Sequence, residues 1–178
     1  MKLLDKRILD FNNLMRDYVS EDFKTWLLEN RFFDKPASLS YHGAYSGGLF
    51  DHSLAVTKKL LDITKRFNLQ WQNERSPYIV GMFHDLCKID NYKFEVEVDT
   101  ITTWKKNENV ILSGHGEKSV MMLSQWYRLT EEEVLCIRYH MGAYETKDWE
   151  QFDKAIRRYE TVLWTHTADM YASKVHDV

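Results

Sequence analysis

Hydrophobic residues recur every three or four positions along the N-terminal part of the chain, which is the spacing of one buried helix face. Residues 3–19 form the first such series, and Ser20 is a suitable N-cap for a second series that follows it. A loop containing Pro36 leads to a third series, which extends from Leu49 to Phe67. Each series predicts a helix.

The second half of the chain carries clearer helix-start signals. Ser76 and Pro77 place an N-cap before a proline at the first helical position. Thr130, followed by Glu133, forms a capping box. The last helical series covers residues 153–175. With the N-terminal series, these signals predict about six or seven helices.

Between residues 92 and 112 the apolar period changes from helical to alternating. Phe94, Val96 and Val98 alternate with acidic residues, and a polar stretch separates them from another short apolar run. This alternation predicts a small β-hairpin or an irregular excursion. The predicted fold class is therefore all-α with one small hairpin.

Length and charge exclude several classes of protein. The 178 residues suit one domain, or one domain with a short helical appendage, and the net charge of -3 provides no basic field for long nucleic acids. No apolar run approaches the roughly 18 residues of a membrane span, and the N-terminus has charges where a signal peptide is apolar. The two cysteines fit a reducing compartment. We expect a soluble, cytoplasmic protein.

The pair His84-Asp85 ends an apolar run that starts at Tyr78, so a buried helix is predicted to carry an imidazole and a carboxylate side by side. An ionised carboxylate is rarely buried unless it is paired or binds a metal. Adjacent helical residues point about 100° apart, which suits two ligands of one metal, or a carboxylate that bridges two. The alternatives are a buried His–Asp hydrogen bond and the polar edge of an amphipathic helix.

Further candidate metal ligands lie on other predicted helices or at helix starts, among apolar neighbours: His52, His115, His140 and Asp169. Helical bundles build metal sites from inward-facing side chains of several helices. Nitrogen and carboxylate ligands without thiolates suit one or two divalent ions of Mn, Fe, Co, Ni, Mg or Zn. Taken singly, each histidine is more typical of a satisfied core position, so the prediction depends on the whole set.

The order of these residues resembles the HD superfamily of metal-dependent phosphohydrolases. GGLFDHS at residues 47–53 looks like the first-histidine helix of that superfamily, and FHDLCK at 83–88 looks like its His-Asp helix. GHGE at 114–117 and RYH at 138–140 match the additional histidines of binuclear members. The chain is similar in particular to the HD domain of bacterial 3′–5′ exoribonucleases.

The resemblance implies an all-α HD-domain bundle at residues 41–178, preceded by an N-terminal helical cap at residues 1–40. Phe32 and Phe33 look exposed in the sequence, so the N-terminal segment is predicted to be either an interface or a cap on the core. Cys136 shares a predicted helix face with His140, and its apolar surroundings favour a buried cysteine over a thiolate ligand.

The resemblance also implies a binuclear site with Asp85 as a bridging and catalytic ligand. One ion would be held by His52, His84, Asp85 and Asp169, and a second by His115, His140 and Asp85. A metal-activated water would attack phosphorus without a covalent enzyme intermediate. Many relatives have a second histidine where Met141 stands, and Gly or Ser where Cys87 stands. Met141 is a poor ligand for hard metals, so we expect six protein ligands and no more.

Several other residues are candidates for substrate contact. Lys88 shares a helix face with the His-Asp pair and could bind a phosphate, although a lysine near a helix C-terminus is also favoured by the helix dipole. His42 and Tyr45 precede the first ligand helix in a Gly-rich loop, where His42 could donate a hydrogen bond, act as a general acid, or simply cap the structure. Lys118 and Arg138 are possible anion contacts, or solvated cations.

The function predicted from the sequence is hydrolysis of a phosphoester in a small phosphorylated partner, a nucleotide or short oligonucleotide. A mixed-valent di-iron oxygenase on the same ligands is one alternative. A non-catalytic nucleotide-binding module is another. Neither long nucleic acids nor membranes are expected as partners, and the oligomeric state is left open.

Overall fold

The computed structural model describes residues 2–15, 17–95, 103–112, 114–142 and 148–176. The helices are α1 (Leu3–Met15), α2 (Glu21–Glu29), α3 (Gly48–Phe67), α4 (Ser76–Phe83), α5 (Lys88–Asn91), α6 (His115–Leu123), α7 (Glu131–Arg138), α8 (Trp149–Arg158) and α9 (Thr161–Lys174). Strands β1 (Tyr92–Glu95) and β2 (Thr103–Lys106) form an antiparallel pair between α5 and α6. The predicted all-α class with one small hairpin is confirmed.

Helix α3 is the centre of the bundle, because it packs against both α4 and α9, and α7 in turn contacts α4, α6 and α9. The close contact between α3 and α4 at Thr57 depends on Gly81. A Cβ atom at this position would lie 2.7 Å from the Cα atom of Thr57, which is too close for any side chain. The bare glycine therefore lets two helices that carry candidate ligands meet backbone to backbone.

The N-terminal helices share one hydrophobic core with the rest of the chain. Phe32 and Phe33 are only 0% and 2% exposed, so the expectation that they are exposed is wrong. Phe33 packs edge-on against Phe11 and at a tilt against Phe50 of α3, with ring centroids 5.3 Å apart in both pairs. Non-local aromatic packing buries these residues, and a local sequence pattern does not reveal such packing. The boundary at residue 40 stays a prediction.

The hairpin pairs Phe94 with Trp104, whose ring centroids are 4.9 Å apart. The guanidinium of Arg31 lies 4.4 Å from the Phe94 ring and 4.9 Å from the Trp104 ring, which ties the hairpin to the end of α2. Val96 and Val98, which contributed to the predicted alternation, lie outside the described residues. None of the helices described has both the length and the apolar character needed to cross a bilayer.

The single C-terminal helix predicted over residues 153–175 is instead two helices, α8 and α9. Tyr159 separates them with an extended backbone, at φ -138° and ψ 104°. Its hydroxyl donates to Glu131 at 2.9 Å and accepts from the side-chain amide of Gln72 at 3.1 Å. These tertiary contacts accompany a break that apolar spacing alone does not indicate.

Candidate metal centre

The candidate ligands come from five parts of the bundle. His52 lies within α3 and Asp169 within α9, whereas His84 caps the C-terminus of α4 and Asp85 follows it in the turn before α5. His115 is the first residue of α6 and His140 lies just beyond the end of α7. All are buried except His115, which is partly exposed. The structure therefore brings the six predicted ligands together.

His52, His84 and Asp169 form one compact group. The Nε2 atoms of the two histidines are 3.2 Å apart, and Oδ1 of Asp169 lies 3.1 Å from Nε2 of His52 and 3.9 Å from Nε2 of His84. Two imidazole nitrogens and a carboxylate oxygen that converge within the core are the donor set that divalent transition metals prefer.

The two carboxylate oxygens of Asp85 face two different pairs of histidines. Oδ2 lies 3.8 Å from Nε2 of His52 and 3.6 Å from Nε2 of His84. Oδ1 lies 3.8 Å from Nδ1 of His115 and 3.5 Å from Nε2 of His140. Asp85 thus stands between the first group and a second set of nitrogen donors.

Backbone hydrogen bonds orient two of the imidazole rings. Nδ1 of His84 lies 2.8 Å from the carbonyl oxygen of Gly81, and Nδ1 of His140 lies 2.7 Å from that of Ile137. Because a carbonyl oxygen can only accept, each Nδ1 is the donor, and in the neutral ring Nε2 keeps its lone pair. Orientation of a ligand histidine through its other nitrogen is typical of metal sites.

Oδ1 of Asp85 and Nε2 of His140 are buried polar atoms that make no hydrogen bond within the described part of the chain. Leaving a buried polar atom unsatisfied costs about 1–3 kcal/mol, and more for a charged group. A cation between them would satisfy both, so the residues present fit a divalent metal ion.

Lys88 supplies the positive charge nearest to Asp85. Its Nζ lies 2.6 Å from Oδ2 of Asp85, and both side chains are buried. Burial alone would raise the pKa of Asp85, but Lys88, His115 and His140 outweigh burial and hold this pKa well below its usual range. Burial alone would likewise lower the pKa of Lys88, but Asp85 raises it above its ordinary value. The pair is therefore ionised.

The histidines differ in their protonation. Burial lowers the pKa of His84 to about 4, so its ring is neutral near pH 7 and able to coordinate. The neighbouring side chains of Asp85 and then Cys87 raise the pKa of His115 to about 10. A metal ion that binds His115 must therefore displace a proton. Burial would raise the pKa of Asp169, but its hydrogen bond with His52 and nearby histidine charges lower it.

The predicted substrate-contact residues occupy different surroundings. The ring of His42 lies tilted by 39° against that of His52, with centroids 5.0 Å apart. Burial and then the His52 charge lower the pKa of His42. Tyr45 lies instead beside Asp51, which forms a bidentate ion pair with the buried Arg7 at 2.9 and 2.7 Å. The roles assigned to His42 and Tyr45 stay predictions.

Lys118 and Arg138 are each paired with an acidic residue. Nζ of Lys118 lies 2.6 Å from Oδ2 of Asp90, and Nε of Arg138 lies 3.1 Å from Oε1 of Glu117.

Lys118 and His115 also line a cavity of about 490 Å³. Other residues that line it include Ser38, Tyr41, Tyr92 and Lys106. His115 thus connects this cavity to the ligand cluster.

One residue that the sequence did not identify as a ligand also lies in the cluster. The sulfur of Cys87, a carboxylate oxygen of Asp85 and a ring nitrogen of His115 are all within 4.8 Å of one another. The spacing of Cys87, three positions after His84, is a signal that could have identified it. The ligand set that the resemblance implies contains no thiolate, so the resemblance alone predicts no role for Cys87.

Comparison with known proteins now places the chain in a family. A family model of the HD domain matches residues 49–172, and the chain belongs to the HD domain family, whose members are generally metal-dependent hydrolases. Among curated proteins, and among solved structures, no significant match is found. The narrower resemblance to exoribonucleases stays a prediction.

Proposed function

We propose that the protein hydrolyses a phosphoester of a nucleotide or short oligonucleotide at a centre for two divalent metal ions. The observation that carries the proposal is the position of Asp85 between two histidine pairs. Its Oδ2 faces His52 and His84, and its Oδ1 faces His115 and His140, at 3.5 to 3.8 Å. A carboxylate that presents each oxygen to a separate set of donors is arranged to bridge.

Asp85 would divide the ligands into two sets. His52, His84 and Asp169 with Oδ2 of Asp85 would hold one ion, and Oδ1 with the remaining two histidines would hold the other. Bound divalent ions lower the pKa of a coordinated water and stabilise charge on phosphoryl oxygens, which is the chemistry that hydrolysis of a phosphoester needs.

Lys88 would serve both Asp85 and the substrate. Its charge keeps Asp85 ionised in the core, as a bridging ligand must be. An ammonium has three N–H donors, so Lys88 can hold Oδ2 of Asp85 and still donate to a phosphoryl oxygen. A donor fixed where negative charge develops stabilises the transition state.

His42 would donate a hydrogen bond rather than act as an imidazolium acid. Burial and the neighbouring His52 lower its pKa, so the ring is neutral near pH 7 and carries one N–H. The centroid of its ring lies 5.0 Å from that of His52, so His42 is close enough to the ligand cluster for this N–H to serve a substrate oxygen bound there.

The adjoining cavity supports a small substrate. Its volume of about 490 Å³ falls within the 300–1,000 Å³ typical of small-molecule pockets. Tyr41 and Tyr92 offer aromatic surface for a nucleobase, and Lys106 adds positive charge for a second phosphate. The net charge of -3 disfavours a long nucleic acid as the substrate.

The test combines metal analysis with a screen of phosphomonoesters and phosphodiesters. The variant is Asp85→Asn, and the control is Asp62→Asn, since Asp62 lies on α3 but pairs with Arg66 at the surface. We expect the wild type and the control to bind divalent metal and to hydrolyse at least one nucleotide. Asp85→Asn should lose both properties while its helical circular dichroism is retained.

Two results would overturn the proposal. The first is a metal-loaded wild type that turns over no phosphoester in a broad panel, which would favour a nucleotide-binding module. The second is iron-dependent oxygen uptake with a phosphate-free product, which would identify a mixed-valent di-iron oxygenase on the same ligands.

A further inference from the structure

Cys87 lies where a metal ligand would lie. Its side chain is fully buried, and its sulfur is within 4.8 Å of a carboxylate oxygen of Asp85 and a ring nitrogen of His115. Zinc lies about 2.3 Å from a thiolate sulfur and about 2.0–2.1 Å from an imidazole nitrogen, so ligand atoms around one tetrahedral ion are roughly 3.5 Å apart. Small side-chain adjustments would bring the three donors to these distances.

A second observation points to a cation among these three residues. Oδ1 of Asp85 has no hydrogen-bond partner among the described residues, although Asp85 is only 3% exposed. It lies 3.8 Å from Nδ1 of His115, a separation too long for a hydrogen bond but suited to two ligands of one ion. The orphaned oxygen therefore marks the position that an ion would fill.

The backbone around Cys87 holds its thiol against α6. The backbone N–H of Cys87 donates to the hydroxyl of Ser119 at 3.1 Å, and this contact is buried. Ser119 lies four positions after His115 on α6, so the two residues share one face of that helix. This hydrogen bond joins the start of α5 to the face of α6 that carries His115.

The other cysteine has no such surroundings. Cys136 is also fully buried, but its sulfur lies 3.6 Å from the hydroxyl of Thr161, and burial raises the pKa of its thiol to about 12. The buried cysteine that the sequence predicts at this position is what the structure shows. Cys136 thus provides a control with the same burial and different neighbours.

We propose that Cys87 is a thiolate ligand of the second metal ion, together with Asp85 and His115. The proposal rests on the binuclear centre of the proposed function. On binding, the S–H bond of Cys87 breaks, its proton passes to solvent, and the sulfur donates an electron pair to the metal. A mixed sulfur, nitrogen and oxygen set selects Zn²⁺, Fe²⁺ or Co²⁺ over Mg²⁺, which accepts thiolates poorly.

Cobalt(II) provides a direct test, because a thiolate bound to it produces a near-ultraviolet charge-transfer band that nitrogen and oxygen ligands do not. The measurement is a Co²⁺ titration of the wild type, Cys87→Ser and Cys136→Ser, with visible d–d absorption as the record of total binding. We expect the band in the wild type and in Cys136→Ser. Cys87→Ser should lose the band, retain d–d absorption and bind Zn²⁺ at the second site at least about tenfold more weakly.

The possible failures can be distinguished. A wild type that is saturated with Co²⁺, with two ions per chain and no charge-transfer band, would overturn the role of Cys87 even if no variant folds. A band that persists in Cys87→Ser would overturn it as well. Failure of the wild type to retain any Co²⁺ in elemental analysis would overturn the metal centre itself, and the Cys87 proposal with it.

Discussion

Nζ of Lys88 lies 2.6 Å from Oδ2 of Asp85, and the two residues are 6% and 3% exposed. Because both side chains are buried, water has little access to the Asp85 carboxylate, and the Lys88 ammonium compensates its charge instead. Oδ2 is also the oxygen that faces His52 and His84. Lys88 and the first ion of the proposed centre thus act on the same carboxylate oxygen, and the loss of Lys88 should have different consequences with and without metal.

Lys88→Ala should destabilise the metal-free protein by about 3–5 kcal/mol, because it leaves an uncompensated buried charge. Added divalent metal should restore most of this stability, since the ion replaces the missing charge. Turnover of the best phosphoester should fall about 10²–10³-fold with metal content retained. Thermal melting with and without metal, and steady-state kinetics, measure these effects.

Lys59→Ala is the control for Lys88→Ala. Lys59 lies on α3, where its Nζ is 3.9 Å from the centroid of the Tyr171 ring, and it should affect neither activity nor metal content. Unchanged kinetics in Lys88→Ala would rule out the proposed contact of Lys88 with substrate.

His115→Ala and His140→Ala should each lower the metal content from two ions per chain toward one. Both histidines face Oδ1 of Asp85, whereas the first group is formed by His52, His84 and Asp169. Elemental analysis of metal-saturated protein measures the ratio, with His176→Ala as the control. If the wild type never exceeds one ion per chain, the centre is mononuclear.

Metal affinity should fall as the pH falls. Asp85 and Cys87 raise the pKa of His115 to about 10, so this ring holds its proton throughout the neutral range in the metal-free protein. An ion that coordinates His115 must displace that proton, and each displaced proton changes the logarithm of the binding constant by about one per pH unit.

Proton release measures this linkage. Zn²⁺ added to weakly buffered wild type at pH 7 should release about one more proton per chain than Zn²⁺ added to His115→Ala. Equal release from the two proteins would contradict coordination of metal by His115.

Local signals predicted much of the fold. The capping box at Thr130 is present, and Ser20 accepts from the backbone N–H of Phe23 as an N-cap should. These motifs involve neighbouring residues only, so the sequence contains all the information needed. The burial of Phe32, in contrast, depends on side chains from distant parts of the chain.

In the candidate site, too, contacts between distant parts of the chain could not be predicted from the sequence. Its histidines and carboxylates could be predicted as a set because their types and order are chemically distinctive, and the structure brings them together, although their roles as ligands stay predictions. The pairing of Lys118 with Asp90 and the approach of Cys87 to His115 depend on how α5 and α6 meet. Helical spacing within a single element does not indicate such contacts.

The contact between α3 and α4 leads to a further prediction, for Gly81→Ala. Helix propensity alone favours alanine over glycine by about 0.8–1.0 kcal/mol, which would stabilise α4. The new Cβ would, however, lie 2.7 Å from the Cα atom of Thr57, and this backbone atom cannot move unless α3 shifts. Overpacking of a core costs about 1–3 kcal/mol. The free energy lost through overpacking should therefore exceed the free energy gained from helix propensity, so that the variant melts at a lower temperature than the wild type.

Metal binding provides the second readout for Gly81→Ala. His52 and His84 lie at this same helix contact, with Nε2 atoms 3.2 Å apart, and a separation of α3 from α4 would move them apart. We expect weaker binding of the first ion in isothermal titration, because both nitrogens are ligands in that set. Lys24→Ala, on the surface of α2, should leave both melting and metal binding unchanged. A Gly81→Ala protein that melts above the wild type and binds metal normally would show that the helices adjust without effect on the site.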